Sequence, residues 1–246
     1  MTPQTTPQPR TRVTPRDVFG RAGHPHGDRR TLQSPVDIPT DRAIPTRLPV
    51  LTFHHPPAAH TTLTLRYERP GSHQPSCQHP DRETTIGAEV APQGARLDVG
   101  GVRHTFAGVH WHTPAEHLLN GTRFPLEQHA KYVADDGTRL VVAVLFREGE
   151  ANPLLERLFR ALPQPGAEAE LREVDLAALF PATLGSYRYT GSLTTCPYTS
   201  PVHWIVLADP LTAADHQIEL YRERFPDSNA RPTQPLGPRH VRTDTK

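Results

Sequence analysis

The residues in this sequence best suited to chemistry are histidines spaced two positions apart. If the chain is extended around His110 and His112, their side chains project from the same face of a strand. Glu127 and His129 repeat this spacing a little further on. The turn signal Asn120-Gly121 lies between the two segments. If the second segment is the neighbouring antiparallel strand, His129 comes to lie beside the first pair. Three imidazoles from two neighbouring strands are typical of an open zinc site that leaves a fourth position for water.

A carboxylate beside these histidines supports the same interpretation. A ligating histidine usually donates its other ring N–H to a carboxylate or carbonyl, and Glu127 is predicted to receive that hydrogen bond from His129. Imidazole suits zinc better than calcium or magnesium, which prefer oxygen. The sequence contains 15 histidines, so a single His-x-His pair also arises without any metal. The zinc hypothesis therefore depends on the two strands being neighbours.

Composition excludes several classes of protein. The 27 Lys and Arg residues balance 26 Asp and Glu residues, which argues against a nucleic-acid-coating or polybasic membrane-surface protein. No run approaches the roughly 18 apolar residues of a membrane span. The first residues lack the apolar core of a signal peptide, so we expect a cytoplasmic protein, or an exported one if the true start lies upstream. Neither nucleic acid nor membrane is expected as a partner, and the oligomeric state stays open.

The elements that must position the histidines are mostly strands. The 28 prolines, spread along the chain, favour a loop-rich, β-dominated α+β fold over a helical bundle. Tight turns between successive strands indicate largely antiparallel pairing. Apolar and alternating segments predict strands at 62–67, 95–99, 104–112, 127–134, 139–147, 187–193 and 202–207.

Three short helices are predicted at the periphery. Asn152 is suited to cap the first, which has Pro153 at its first position. A second short helix is expected over Val174–Phe180. A third is expected to open with a capping box at Thr212 and to run to about Phe225.

Several segments, in this order along the chain, resemble the α-class carbonic anhydrases of the bacterial type. The resemblance runs from about Leu32 to Leu236, which is most of the chain. The segments are Gln33-Ser-Pro-Val-Asp-Ile38, the His110 and His112 segment with Pro114-Ala-Glu-His117, Glu127-Gln-His129, Phe146-Arg-Glu-Gly149, Asn152-Pro-Leu-Leu155, Gly191-Ser-Leu-Thr-Thr195, Val202-His-Trp-Ile-Val-Leu207 and Asn229-Ala-Arg-Pro-Thr-Gln-Pro-Leu236.

The resemblance implies a fold, a cofactor and a reaction. It implies one domain with a central, mostly antiparallel twisted sheet of about ten strands and a few short helices. It also implies Zn2+ and the reversible hydration of carbon dioxide to bicarbonate and a proton by a zinc-bound hydroxide. Carbon dioxide and bicarbonate are then the small-molecule partners, and the family-like catalytic domain is expected over 31–240. A disordered arm is expected at 1–30 and a flexible tail at 241–246.

By matching positions, the resemblance also implies roles for individual residues. Thr194 would accept the hydroxide's proton in a hydrogen bond and donate its own to Glu116. Glu127 would orient a ligand. The implied zinc ligands are His110, His112 and His129, and the implied substrate pocket is Val141, Leu193, Thr195 and Trp204, with Lys131 at a position that is usually apolar.

Four departures from the family pattern qualify these expectations. Thr84 stands where a proton-shuttling histidine is usual, so proton export is expected to slow turnover. Gly108 replaces a glutamine that supports the first ligand. Lys131 is expected to reach the cleft rim or lose its proton, with anion binding as an alternative. Cys77 and Cys196 are displaced from the usual disulfide, and whether they are bridged is left open.

Two other functions stay open at this point. The chain could be a non-catalytic binding domain that retains zinc for structure, which the changes at Lys131 and around residues 68–84 favour. Intact Thr194 and Glu116 disfavour that alternative. Hydrolysis of activated esters could also accompany the main reaction, as at any accessible zinc site.

Overall fold

Strands dominate the structure, which is a computed structural model that describes residues 32–68, 84–90 and 94–245. The expected arm at 1–30 therefore lies outside the described residues. Within the described part, the strands are β1 (Asp37–Ile38), β2 (Ile44–Pro45), β3 (Leu51–His54), β4 (Thr62–Glu68), β5 (Thr85–Val90), β6 (Arg96–Val99), β7 (Val102–His112), β8 (Leu118–Leu119), β9 (Thr122–Arg123), β10 (Leu126–Ala134), β11 (Arg139–Glu148), β12 (Glu168–Arg172), β13 (Ser186–Gly191), β14 (Val202–Leu207), β15 (Leu211–Ala213) and β16 (Arg242–Thr243).

The helices are few and short. They are α1 (Pro153–Arg160), α2 (Asp215–Arg222) and two 3-10 helices, Ala58–His60 and Leu176–Leu179. None of the helices in the described ranges has both the length and the apolar character needed to cross a membrane.

Most strands join one large mixed sheet. Its strands follow the order β12-β4-β5-β7-β10-β11-β14-β13-β16-β2, with β3, β6 and β15 attached beside this path. Nine of the twelve strand pairs described in this sheet are antiparallel, and the three parallel pairs are β11 with β14, β11 with β15 and β16 with β2. A separate three-stranded sheet has the order β1-β8-β9. The predicted fold class, a β-dominated α+β domain with a central, mostly antiparallel sheet, is confirmed.

Alternation along the central strands separates two cores. On β11, Leu140, Val142 and Val144 pack into the larger core, which the helices cover. Val141 and Ala143 point the other way into a smaller core. Successive side chains of a strand face opposite sides of the sheet, so an apolar run of this kind fills both. On β7 the same rule sends Val109 and Trp111 to the larger core and leaves the other face to the histidines.

The first predicted helix is confirmed together with its cap. The Asn152 side chain accepts hydrogen bonds from the backbone N–H groups of Leu154 and Leu155, and Pro153 occupies the first turn. The predicted segment Val174–Phe180 narrows to the 3-10 helix Leu176–Leu179, capped by Asp175.

The predicted cap of α2, Thr212, is wrong by two residues. Thr212 lies in β15, where it pairs with Arg147 of β11, so it cannot cap the helix. The residue before the helix is Ala214, whose N–H donates to the side chain of Gln217. The glutamine thus supplies half of a capping box that lacks a hydroxyl partner.

The end of the described chain also differs from the expected flexible tail. Arg242–Thr243 forms β16, which pairs with β13 on one side and β2 on the other. The carboxylate of Asp244 lies 3.3 Å from the guanidinium of Arg188, a fully buried residue. A buried cation needs a partner of opposite charge, which fixes this segment in the fold.

Candidate metal centre

Three histidines meet on the face of the sheet opposite the helices. The strands β7 and β10 are antiparallel neighbours, with His129 directly opposite His110, so the predicted adjacency is confirmed. The ring centroids of the three imidazoles lie 4.7 to 5.2 Å apart. One ring nitrogen from each of His110, His112 and His129 falls within a group whose atoms are all within 4.8 Å of one another. All three residues are buried.

The ring of His112 is oriented by a distant part of the chain. Its Nδ1 lies 2.9 Å from the carbonyl oxygen of Asn229, which can only accept, so Nδ1 carries the proton. The other nitrogen, Nε2, is buried and has no hydrogen-bond partner among the described residues. It therefore presents a lone pair to the other two imidazoles.

A chain of hydrogen bonds fixes the ring of His129 in the same way. Its Nε2 lies 2.7 Å from a carboxylate oxygen of Glu127, as predicted for that pair. The same oxygen is 2.6 Å from Nδ1 of His117, whose Nε2 is 2.7 Å from the hydroxyl of Tyr189. That hydroxyl also meets Ser34 Oγ at 2.8 Å. If each nitrogen facing the carboxylate donates, Tyr189 donates to His117 and the lone pair of His129 is left on Nδ1.

Glu127 is the hub of this network. Besides the two imidazoles, its second oxygen accepts hydrogen bonds of 2.7 Å from the backbone N–H groups of Glu116 and His117. Burial alone would raise the pKa of the Glu127 carboxyl, but its interactions with His117 and His129 hold that pKa well below the usual range. The group His117, Glu127 and His129 is also compact enough for a metal, but these hydrogen bonds already occupy its atoms.

His110 is held less firmly than the other two. Both of its ring nitrogens are buried and have no hydrogen-bond partner among the described residues. Burial, with a smaller contribution from Lys131, lowers the pKa of His110 well below its ordinary value, so the ring is neutral.

The missing support for His110 has a backbone cause. The register between β7 and β10 shifts at Lys131, where Gly108 adopts a φ of 135°. A Cβ at Gly108 would lie 3.1 Å from the carbonyl oxygen of Ala88. Glycine favours this conformation and spacing, whereas the glutamine that the resemblance implies for this position would be strained.

A cleft of about 220 Å3 opens above the histidines. All the predicted pocket residues line the cleft together with two of the histidines. Glu68 and Thr85, which the sequence did not identify, line it as well. The indole N–H of Trp204 donates to the backbone of Ser192, so its ring can present carbon atoms to the cleft. The lining residues are Glu68, Thr85, His110, His129, Lys131, Val141, Leu193, Thr194, Thr195 and Trp204.

The expected hydrogen bond between Thr194 and Glu116 is not formed. One carboxylate oxygen of Glu116 accepts from the backbone N–H of Arg231. The other has no hydrogen-bond partner in the described part of the chain and lies 3.5 Å from His112 Nε2 and 3.8 Å from His129 Nδ1. The free carboxylate oxygen thus lies near the imidazole nitrogens and makes no hydrogen bond with Thr194.

Lys131 is neither free at the rim nor in an apolar setting. Its ammonium lies 2.8 Å from both carboxylate oxygens of Glu68, and each side chain is about one quarter exposed. The sequence did not identify this partner: a carboxylate from another strand meets the ammonium inside the cleft.

The other departures have clear positions. Thr84 directly precedes β5, and Thr85 lines the cleft while Thr84 does not. The histidines that line it, among the described residues, are His110 and His129. Cys196 is disulfide-bonded, and Cys77, the other cysteine of the sequence, lies outside the described residues.

Comparison with known proteins agrees with this arrangement. A carbonic anhydrase of Pectobacterium carotovorum is 38% identical over 159 residues, covering 64% of this chain and 65% of the relative. One from Neisseria gonorrhoeae is 34% identical, covering 64% of this chain and 63% of the relative. The alignments thus span slightly less than two thirds of these curated relatives.

Solved structures match over a longer range. The α-carbonic anhydrase of Thermovibrio ammonificans, solved with the inhibitor sulfanilamide, superposes with a TM-score of 0.75 at 30% identity, covering 86% of this chain and 87% of that one. The Photobacterium profundum α-carbonic anhydrase gives 0.74 at 30% identity, covering 88% and 90%. The family described as "Eukaryotic-type carbonic anhydrase" matches residues 23–245. This chain therefore belongs to the eukaryotic-type, or α-class, carbonic anhydrase family.

Proposed function

We propose that this protein binds zinc through His110, His112 and His129 and catalyses the reversible hydration of carbon dioxide to bicarbonate and a proton. The observation that carries the proposal is the group of three buried imidazoles beneath an apolar-walled cleft. Buried nitrogens without a hydrogen-bond partner, such as His112 Nε2, are costly unless something coordinates them. Three imidazoles are a donor set that suits zinc and leaves one position open.

Zinc, when bound, supplies a Lewis acid that lowers the pKa of a coordinated water to about 7. The chain's own contribution is to hold the ligands in the right tautomer, through Asn229 for His112 and Glu127 for His129. Val141 and Trp204 would give carbon dioxide an apolar wall that does not compete for hydrogen bonds.

Thr194 and Glu116 would orient the attacking oxygen. Thr194 would accept a hydrogen bond from that oxygen and donate its own hydroxyl proton to Glu116. The unpartnered carboxylate oxygen of Glu116 supports this role, since it retains acceptor capacity. The role requires the carboxylate to turn from the imidazoles toward Thr194.

Proton export is proposed to limit the rate. The cleft-lining residues of the described chain offer no histidine beyond the candidate ligands, and a threonine hydroxyl such as that of Thr84 does not take up protons near pH 7. The first experiment is stopped-flow carbon dioxide hydration by the zinc-loaded chain at low and high imidazole. Turnover that rises with imidazole is expected. Turnover that is insensitive to imidazole would show that another group relays the proton.

Two variants separate the enzyme from a zinc-containing binding domain. H112N removes a candidate ligand, and it is expected to lose both zinc and turnover. H216N changes an exposed histidine that contacts Glu156 on the helical side, and it is expected to keep both. Sulfonamide binding would report an open zinc position. Bound zinc without turnover at either imidazole concentration would refute the proposed reaction and favour the binding domain.

A further inference from the structure

A lysine–glutamate pair spans the floor of the cleft. Lys131 belongs to β10 and Glu68 to β4, and the strands β5 and β7 lie between them. Neighbouring strands are about 4.8 Å apart, so the two side chains together bridge roughly 14 Å. The Nζ atom of Lys131 donates to both carboxylate oxygens of Glu68, each at 2.8 Å.

Space for this pair comes from a glycine. Gly87 of β5 lies directly opposite His110 of β7. A Cβ built on Gly87 would fall 2.0 Å from a carboxylate oxygen of Glu68 and 2.4 Å from its carboxyl carbon. The Glu68 side chain therefore occupies the place that a side chain at residue 87 would take, beside a candidate ligand.

The choice of lysine is itself unusual in this chain. Of the 27 basic residues, only Lys131 and Lys246 are lysines, and the rest are arginines. A lysine carries a compact ammonium on a slender stem, whereas a guanidinium is broad and planar. An ion pair whose two side chains are each about one quarter exposed is still in contact with solvent and adds little to stability, so stability alone is a weak reason to keep these two charges in the cleft.

We infer that Glu68 is a positioning residue that holds and neutralises the Lys131 ammonium, so that the cleft favours a neutral gas over anions. This inference rests on the proposed function and adds a selectivity to the same site. An unpaired ammonium beside the bound metal would attract bicarbonate and other small anions, and would slow product release. With Glu68 in place the pair has no net charge.

The inference predicts how anion affinity changes in four variants. E68Q removes the negative charge and should tighten thiocyanate binding by roughly 2- to 30-fold, the range for one charge several ångströms away in a partly solvated cleft. G87A should act in the same direction, because its methyl group displaces the Glu68 carboxylate without changing any charge. K131M and the double variant E68Q/K131M should show no tightening.

Lysine ammonium resonances give a direct readout. Because the chain has two lysines, 15N-lysine labelling yields two side-chain signals, which K131M assigns. Sodium thiocyanate is titrated at constant ionic strength, with backbone amide shifts recorded alongside, on both metal-free and zinc-loaded protein. The matched control is E89Q, which removes a carboxylate from the same strand as Gly87 but one that pairs with Arg66.

The outcomes are distinct. The inference is supported if thiocyanate binds more tightly to E68Q and G87A than to the unaltered chain, while E89Q and the double variant E68Q/K131M show no such tightening. Equal affinity in E68Q and the unaltered chain overturns it, as does tightening that persists in E68Q/K131M. If the unaltered chain does not bind zinc or does not turn over carbon dioxide, the proposed function is refuted instead. The inference is still decided in that case, because the thiocyanate affinities of the variants can be compared on metal-free protein.

Discussion

Replacing Glu127 with glutamine is the sharpest test of the network behind the histidines. The carboxylate accepts four hydrogen bonds of 2.6 to 2.7 Å, two from imidazoles and two from backbone N–H groups. Glutamine keeps the volume but retains one accepting oxygen, so its NH2 group must face two other donors. Hydrogen bonds to a charged group contribute about 1.5–3 kcal/mol each, so losing two should cost about 3–6 kcal/mol of unfolding free energy.

The assay is urea unfolding of the metal-free protein, followed by the fluorescence of the two buried tryptophans. Zinc affinity is measured separately by competition with a chelator, and a 10- to 100-fold loss is expected because His129 loses its orienting acceptor. E150Q, at an exposed site, should stay within about 0.5 kcal/mol of the unaltered chain. A loss of less than about 1 kcal/mol in E127Q, with unchanged zinc affinity, would refute the account of the network.

Two further predictions concern acid stability and the end of the chain. Burial lowers the pKa of His203 to about 4, so the unfolded state takes up a proton first as the pH falls from about 6.5 to 4, and stability declines in that window. H203N should remove up to about 3 kcal/mol of that decline, which is measured from urea unfolding midpoints at pH 7 and pH 4.5. Midpoints that fall equally in H203N and in the unaltered chain would contradict this. D244A leaves the buried Arg188 guanidinium without its carboxylate and should cost about 1–3 kcal/mol by thermal unfolding, whereas a flexible tail would give no loss.

The positions of the histidines followed from the sequence because they depend on local rules. Alternation on a strand puts His110 and His112 on one face. The Asn120-Gly121 turn closes the small β8–β9 hairpin within the connection that returns the chain as β10, which carries His129. The turn residues adopt positive φ values of 47° and 75°, as a tight hairpin requires. The cap of α1 was predictable for the same reason, since Asn152 acts within its own first turn.

Other features could not be predicted because they join residues far apart in sequence. Asn229 orients His112 from 117 positions away, and Glu68 reaches Lys131 from 63 positions away. No spacing rule relates such positions. Gly108 is an intermediate case. The comparison of the sequence with the family pattern showed that a glutamine is replaced there, but only the strand register shows that the bulge favours glycine at this position.

Asn229 and Arg231 carry a consequence for how the protein is made. Asn229 contacts His112 directly, and Arg231 donates to Glu116, whose other carboxylate oxygen lies 3.5 Å from His112. A ribosome releases these residues long after the strands that hold the three histidines, so during synthesis the cluster exists without its last supports. Before then the imidazole of His112 would lack the hydrogen bond that orients it. Stable zinc binding is therefore expected only once residues 229–231 have emerged and packed against the site.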